Sequence, residues 1–193
     1  MPRILETLVT TVSPAGTVHL APMGMQEADG LVVLMPFRPS ATLDNILASR
    51  RAVLNLTDDV RIFAGCVTGR RDWPTEPVGE GSDVRLSGCL THVPLELAEW
   101  RDDALRPVLH LRPGAPVIHG PFAGFNRAQA AVIEGAVLVS RLSMLADDKV
   151  DQEMAYLQIA IDKTAGDAER EAWGWLRQAV ADHRSGRSRG QSA

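Results

Sequence analysis

Lysine is nearly missing from this chain: of its 20 basic residues only Lys149 and Lys163 are lysines. Acidic residues number 24, so the formal net charge is -4. That balance lacks the cationic surplus a phosphate backbone demands, which argues against nucleic acid as the main partner. Aromatics make up only 5% of the residues. The two cysteines, Cys66 and Cys89, are too few for a disulfide framework, so a cytoplasmic location is the default expectation. No apolar run approaches the roughly 20 residues of a membrane helix, and no membrane partner is expected. The opening stretch MPRILETLVTTV has no apolar segment ending in a small-residue cleavage site, so no signal peptide is expected. P-loop, HExxH, GxSxG and CxxC patterns are all missing. Gly79-Glu80-Gly81 has no third glycine and fails as a dinucleotide fingerprint. His19, His92, His110, His119 and His183 show no metal-ligand spacing, so no metal is expected.

What the 193 residues do contain is apolar material, 45% of the chain, enough for a packed core. The first part reads as strands. Ile4 to Val12 is rich in β-branched residues, Ser13-Pro14-Ala15-Gly16 is turn chemistry, and Thr17 to Met23 resumes an extended pattern, together a hairpin. Asp29-Gly30 is a second turn before the apolar run Leu31 to Met35. Thr42 to Arg51 has the period of a short helix, which Ser40 or Thr42 can cap. Ala52 to Thr57 reads as a buried strand, residues 68–82 as a loop, Asp83 to Trp100 as one long strand and Ala104 to Leu111 as another. Five or six strands with short turns and one short helix suggest a small barrel.

From Asn126 the period becomes helical. Ala128, Ala131, Val132, Gly135, Ala136, Val139 and Leu142 form one stripe. Val150, Met154, Leu157 and Ile161 form a second, ended by Gly166 as a C-terminal cap. Asp167 is read as the cap of a third helix carrying Ala172, Leu176 and Val180. Trp173 and Trp175, two apart, must face different sides of that helix. The expected divisions are a barrel over 1–118, a helical part over 119–184 and a disordered tail over 185–193.

The segment from Met35 to Ile46 holds the most chemistry. A strand ends, Arg38, Ser40 and Thr42 follow, and a helix begins. Unpaired N–H groups and the helix dipole favour an anion there, while hydroxyls and a forked guanidinium can bind phosphate oxygens. The plainer reading of the same residues is a capped helix beside a solvated arginine. The entry to the first long helix, Gly120 to Arg127, offers a second helix start for an anion, with Asn126 as a simple N-cap as the alternative. Trp73 can stack on a flat ring or pack against its own subunit.

Several segments together resemble a known family. They are Glu6-Thr7-Leu8-Val9-Thr10-Thr11, Ala21-Pro22-Met23-Gly24, the run from Arg38 to Asn45, Val53-Leu54-Asn55-Leu56-Thr57-Asp58-Asp59, Phe125-Asn126-Arg127-Ala128 and Asp162-Lys163-Thr164-Ala165-Gly166. In this order they resemble the DUF447 family, and the N-terminal half resembles the FMN-binding split-barrel superfamily that includes flavin reductases. The resemblance implies a split β-barrel with a C-terminal helical appendage, assembled as a homodimer with one FMN per protomer. It implies phosphate contacts from Arg38, Ser40, Thr42 and Asn45. It points to Ala21, Pro22, Met23 and Gly24 along the flavin ring, with Asn55 as a polar contact. With so few aromatics, Phe37 and Trp73 are the available stacking partners. The residues from Ile62 to Ser82 match the family pattern poorly. The implied function is a flavoprotein of the flavin reductase type acting on a small-molecule substrate that the residues do not name. The alternatives are a flavin-binding protein without turnover and a cofactor-free dimeric interaction protein.

Overall fold

The computed structural model describes residues 3–190. The chain divides into two compact units. One runs to Asp58 and resumes over Asp72–Phe122; the other comprises Asp59–Arg71 and the residues from Ala123 onward. The boundary therefore falls after Phe122 rather than at residue 118, and Asp59–Arg71 belongs with the helices although it lies between barrel strands in sequence.

The first unit is a closed antiparallel barrel. β1 (Leu5–Val12), β2 (Val18–Ala28), β3 (Leu31–Leu34), β8 (Val108–Pro113), β7 (Thr91–Arg101) and β4 (Arg51–Leu56) pair in that order, and β4 pairs back onto β1. β1 and β2 meet through the expected Ser13–Gly16 turn. Asp29 and Gly30, both at positive φ (52° and 75°), make the tight turn to β3. The helix α1 (Ala41–Ser49) connects β3 to β4. Its Leu43 and Ile46 pack with Val9, Leu34, Leu54, Leu97 and Leu109 in the barrel core.

Between β4 and β7 the structure differs from the sequence reading. Arg61–Val67 is a helix, α2, of seven residues. The supposed loop 68–82 contains β5 (Thr75–Pro77), which pairs with β6 (Val84–Leu86). The expected long strand from Asp83 is broken by a turn, and β7 begins only at Thr91. The strand expected from Ala104 starts at Val108, four residues later, because residues 102–107 form a loop. A short strand, β9 (Val117–Ile118), adds to β7.

Beside β9, His92 Nδ1 and His119 Nε2 are 2.8 Å apart. One ring nitrogen must donate and the other accept. Burial, then His119, then Arg85 hold the His92 pKa below its ordinary 6.5. A depressed histidine pKa means the unfolded chain takes up the proton first, so stability is complete above about 6.5 and is lost as pH falls below it. Thermal melts should show a flat Tm above pH 7 and a decline toward pH 5. His92→Phe should make that decline shallower; an unaltered pH profile in the variant would show that the pair does not cause it.

The second unit contains α2, α3 (Arg127–Val139), α4 (Asp147–Thr164) and α5 (Asp167–Gly190). All three expected stripes are present, with Val132, Val150, Ile161, Ala172, Trp173 and Leu176 in one core. Trp173 donates from Nε1 to Gln158 Oε1 at 2.7 Å, while Trp175 is half-buried beneath the Arg70 guanidinium. Two caps differ from expectation. The residue closing α4 is Ala165, in extended conformation, so Gly166 is not a left-handed cap. α5 starts at Asp167 itself, and the Gly166 N–H donates to Glu169 Oε2 at 2.8 Å, as in a capping box. α5 continues through 185–190, where disorder was expected; residues 191–193 lie outside the described residues.

Gly135 is where α3 meets α5 closely. A Cβ there would lie 2.7 Å from Trp173 Cζ3 and 3.1 Å from Leu176 Cδ1. Gly135→Ala should therefore destabilise by about 1–2 kcal/mol, overpacking outweighing the gain of about 1 kcal/mol in helix propensity. A raised urea midpoint in the variant would contradict this.

Both cysteines are buried, and neither forms a disulfide. Burial pushes the Cys66 thiol up to about 11 and raises that of Cys89, which makes them inert packing residues. Among the described residues there is no group of three or more metal-binding side chains, and no helix is long and apolar enough to cross a membrane.

Candidate functional site

Sequence places the site where β3 ends. Ser40 is the N-cap of α1: its backbone is extended and its Oγ accepts from the Leu43 N–H at 3.2 Å. Its carbonyl accepts from the Asp44 N–H at 3.1 Å. Among the described residues the N–H groups of Ala41 and Thr42 have no acceptor. Thr42 is 1% exposed, and its Oγ1 has no hydrogen-bond partner. A buried hydroxyl without a partner costs about 1–3 kcal/mol, so an orphan beside two unpaired N–H groups marks a place suited to an acceptor. The positive end of the helix dipole favours that acceptor being an anion.

Asn45, one turn along, is also buried, and its Nδ2 donates to Thr11 Oγ1 at 3.0 Å. Thr7, on the same face of β1, donates from Oγ1 to the Met23 carbonyl at 2.7 Å. Met23 pairs with Thr7 and Ala21 with Val9, so both belong to the face of β1 on which α1 packs. Pro22 and Gly24 pair with Leu8 and Glu6 and belong to the opposite face. All four are half-buried. A Cβ on Gly24 would lie 3.0 Å from Ile4 Cγ2, so the exposed Ile4 side chain would have to shift to admit one.

Asn55 is not part of this group. It pairs with Leu8, on the face of β4 away from α1, and is 0% exposed. Its Nδ2 donates to Thr10 Oγ1 and to the Leu8 and Val53 carbonyls at 3.1–3.3 Å, and its Oδ1 accepts from the Leu86 N–H at 2.8 Å. With both ends of its amide bonded within the barrel and no exposed surface, Asn55 fastens β6 to β4.

Phe37 and Arg38 lie on the surface before the cap. Arg38 Nη2 donates to Asp102 Oδ1 at 2.7 Å. Phe37 is 55% exposed, with the Arg106 guanidinium 4.6 Å from its ring centroid. One ring face is therefore already covered. Arg106 was missed because it falls inside the strand read from Ala104 to Leu111, and Asp102 because it lies between that strand and the one read to Trp100. The Asp102-Asp103 and Arg106-Pro107 pairs are turn chemistry and were the available signal.

The other suggested sites resolve differently. Trp73 stands half-buried just before β5. At the start of α3, Asn126 Oδ1 accepts from the Ala128 N–H at 2.7 Å, and its Nδ2 donates to the Thr164 carbonyl at 3.0 Å. Thr164 Oγ1 also accepts from the Ala128 N–H. The Phe125–Ala128 and Asp162–Gly166 segments thus cap each other, and this helix start is taken by its own protein.

Comparison with known proteins identifies the family and the fold. Residues 5–120 match the profile of "Protein of unknown function (DUF447) N-terminal domain" and residues 126–178 that of "Protein of unknown function (DUF447)". Among solved structures, the FMN-bound protein MM1853 from Methanosarcina mazei, of family DUF447, is similar at TM-score 0.81 with 22% identity, over 93% of this chain and 96% of that one. The 2-nitrobenzoate 2-nitroreductase NbaA from Pseudomonas fluorescens gives TM-score 0.51 at 21% identity, covering 62% of this chain and 66% of that one. Flavoredoxin from Methanosarcina acetivorans gives TM-score 0.51 at 14% identity, covering 62% and 69%. No curated protein sequence matches the chain. The barrel shares the split-barrel fold of these structures, and with both of its parts matched in order the chain belongs to the DUF447 family.

Proposed function

We propose that the chain binds FMN noncovalently, with the phosphate at the start of α1. The observation that carries this is the orphaned, buried Thr42 hydroxyl beside the unpaired Ala41 and Thr42 N–H groups. Ser40 shapes the turn, Arg38 brings a charge, and Asn45 is held one turn below by Thr11. The FMN bound to MM1853, a protein of the same fold and family, supports the assignment. FMN would supply the redox chemistry, and the chain positions it. Residues 35–46 contain no histidine, cysteine or tyrosine, and their one acidic side chain, Asp44, is exposed on the first turn of α1, so the segment is read as a binding element. Purified protein should be yellow, with a flavin absorption spectrum, and should release FMN on denaturation. A colourless protein that takes up no added FMN overturns the reading.

Oxidoreductase activity of the flavin reductase type is the finer part of this proposal. Steady-state flavin reduction by NADH or NADPH, with an added acceptor, separates it from flavin binding without turnover. A homodimer in the cytoplasm completes the reading. Light scattering tests the assembly, and a monomer at micromolar concentration would remove it.

A further inference from the structure

Residues 102–107, between β7 and β8, are fastened to the segment just before α1 by several contacts. The Arg38 N–H donates to the Leu105 carbonyl at 2.9 Å, and the Arg38 side chain to Asp102 at 2.7 Å. Arg106 Nε donates to the Met35 carbonyl at 3.2 Å, and its guanidinium lies over the Phe37 ring. Asp103 closes the loop by accepting from the Leu105 and Arg106 N–H groups at 2.9 and 2.6 Å. The base of the Arg106 side chain is therefore fixed. Its two Nη groups have no acceptor among the described residues, and no carboxylate pairs with it.

Charge distinguishes Arg106 from an incidental neighbour. Arg38 is already paired with Asp102, and Asp44 adds a negative charge to the first turn of α1. Without Arg106, residues 35–46 and 102–107 together carry one cation, Arg38, and three carboxylates, Asp44, Asp102 and Asp103. A phosphate monoester brings roughly -1.5 to -2 more near neutral pH. The helix start and one shared arginine are a weak match for that charge, and a second guanidinium, tethered at Met35 and Phe37, restores it.

We infer that Arg106 is a second cationic ligand of the phosphate site, selecting flavins that carry a terminal phosphate over those that do not. This rests on the FMN reading above. The test is flavin titration, followed by fluorescence, of the full chain stripped of flavin, with FMN and riboflavin as the two probes. Arg106→Gln should weaken FMN about tenfold, the loss of one charge-assisted contact at an exposed site, and leave riboflavin affinity unchanged. Arg106→Lys should retain most of the FMN affinity. The salt dependence of FMN binding should also be shallower in Arg106→Gln than in the wild type. Matching melts of the flavin-free variant and wild type establish that the fold is intact. Equal losses for both flavins would mean that Arg106 acts through Phe37 packing, and unchanged FMN affinity would remove it from the site; either overturns the inference alone. A wild-type chain that binds neither flavin, or both equally, overturns the phosphate-site reading itself.

Discussion

Thr42→Val combined with Arg38→Ala is expected to weaken FMN binding by about a hundredfold, since each change removes a hydrogen bond to a charged group. The two residues contribute differently, and their single variants should show it. Thr42 is buried with an unpaired hydroxyl, so Val at that position removes a polar atom that the flavin-free protein leaves unsatisfied. Thr42→Val should therefore raise the Tm of the flavin-free form slightly while lowering FMN affinity. Arg38 is partly exposed and paired with Asp102, so Arg38→Ala should cost little stability and should reduce the salt dependence of binding. Calorimetry with and without FMN measures both. Unchanged flavin affinity in the double variant would move the site elsewhere.

Asn55→Leu is expected to have the opposite signature. It would leave the Leu86 N–H and the Leu8 and Val53 carbonyls in the buried layer under β6 without their side-chain partner. The cost should be about 3–4 kcal/mol, or roughly 10 °C in Tm for a chain of this size. FMN affinity of the folded fraction should be unaffected. If stability barely changed and flavin binding collapsed, Asn55 would return to the flavin site to which the sequence assigned it.

What was readable in the sequence depended on how local its cause was. The β1–β2 hairpin and the turn at Asp29-Gly30 are fixed by residues within a few positions of each other, and both are present as read. The Ser40 cap and the three helical stripes are likewise local. The separation of Asn55 from the α1 group was not readable because a sequence does not state which face of β4 a residue occupies; only the pairing with Leu8 decides that. Arg61–Val67, at seven residues, is too short to display a helical period. Arg106 joins Phe37 and Met35 from about 70 positions away, a closeness that only the closed barrel creates.

The division of the chain has a consequence for modularity. The helical unit is discontinuous in sequence, with α2 leaving the barrel after Asp58 and returning at Asp72. Val60 and Ala64 of that helix pack in the helical core with Ala128, Ala172 and Leu176. No single cut can therefore yield two complete units. A chain ended at Phe122 would carry an apolar helix deprived of its partners, and recombination could transplant the helical unit only by two simultaneous grafts.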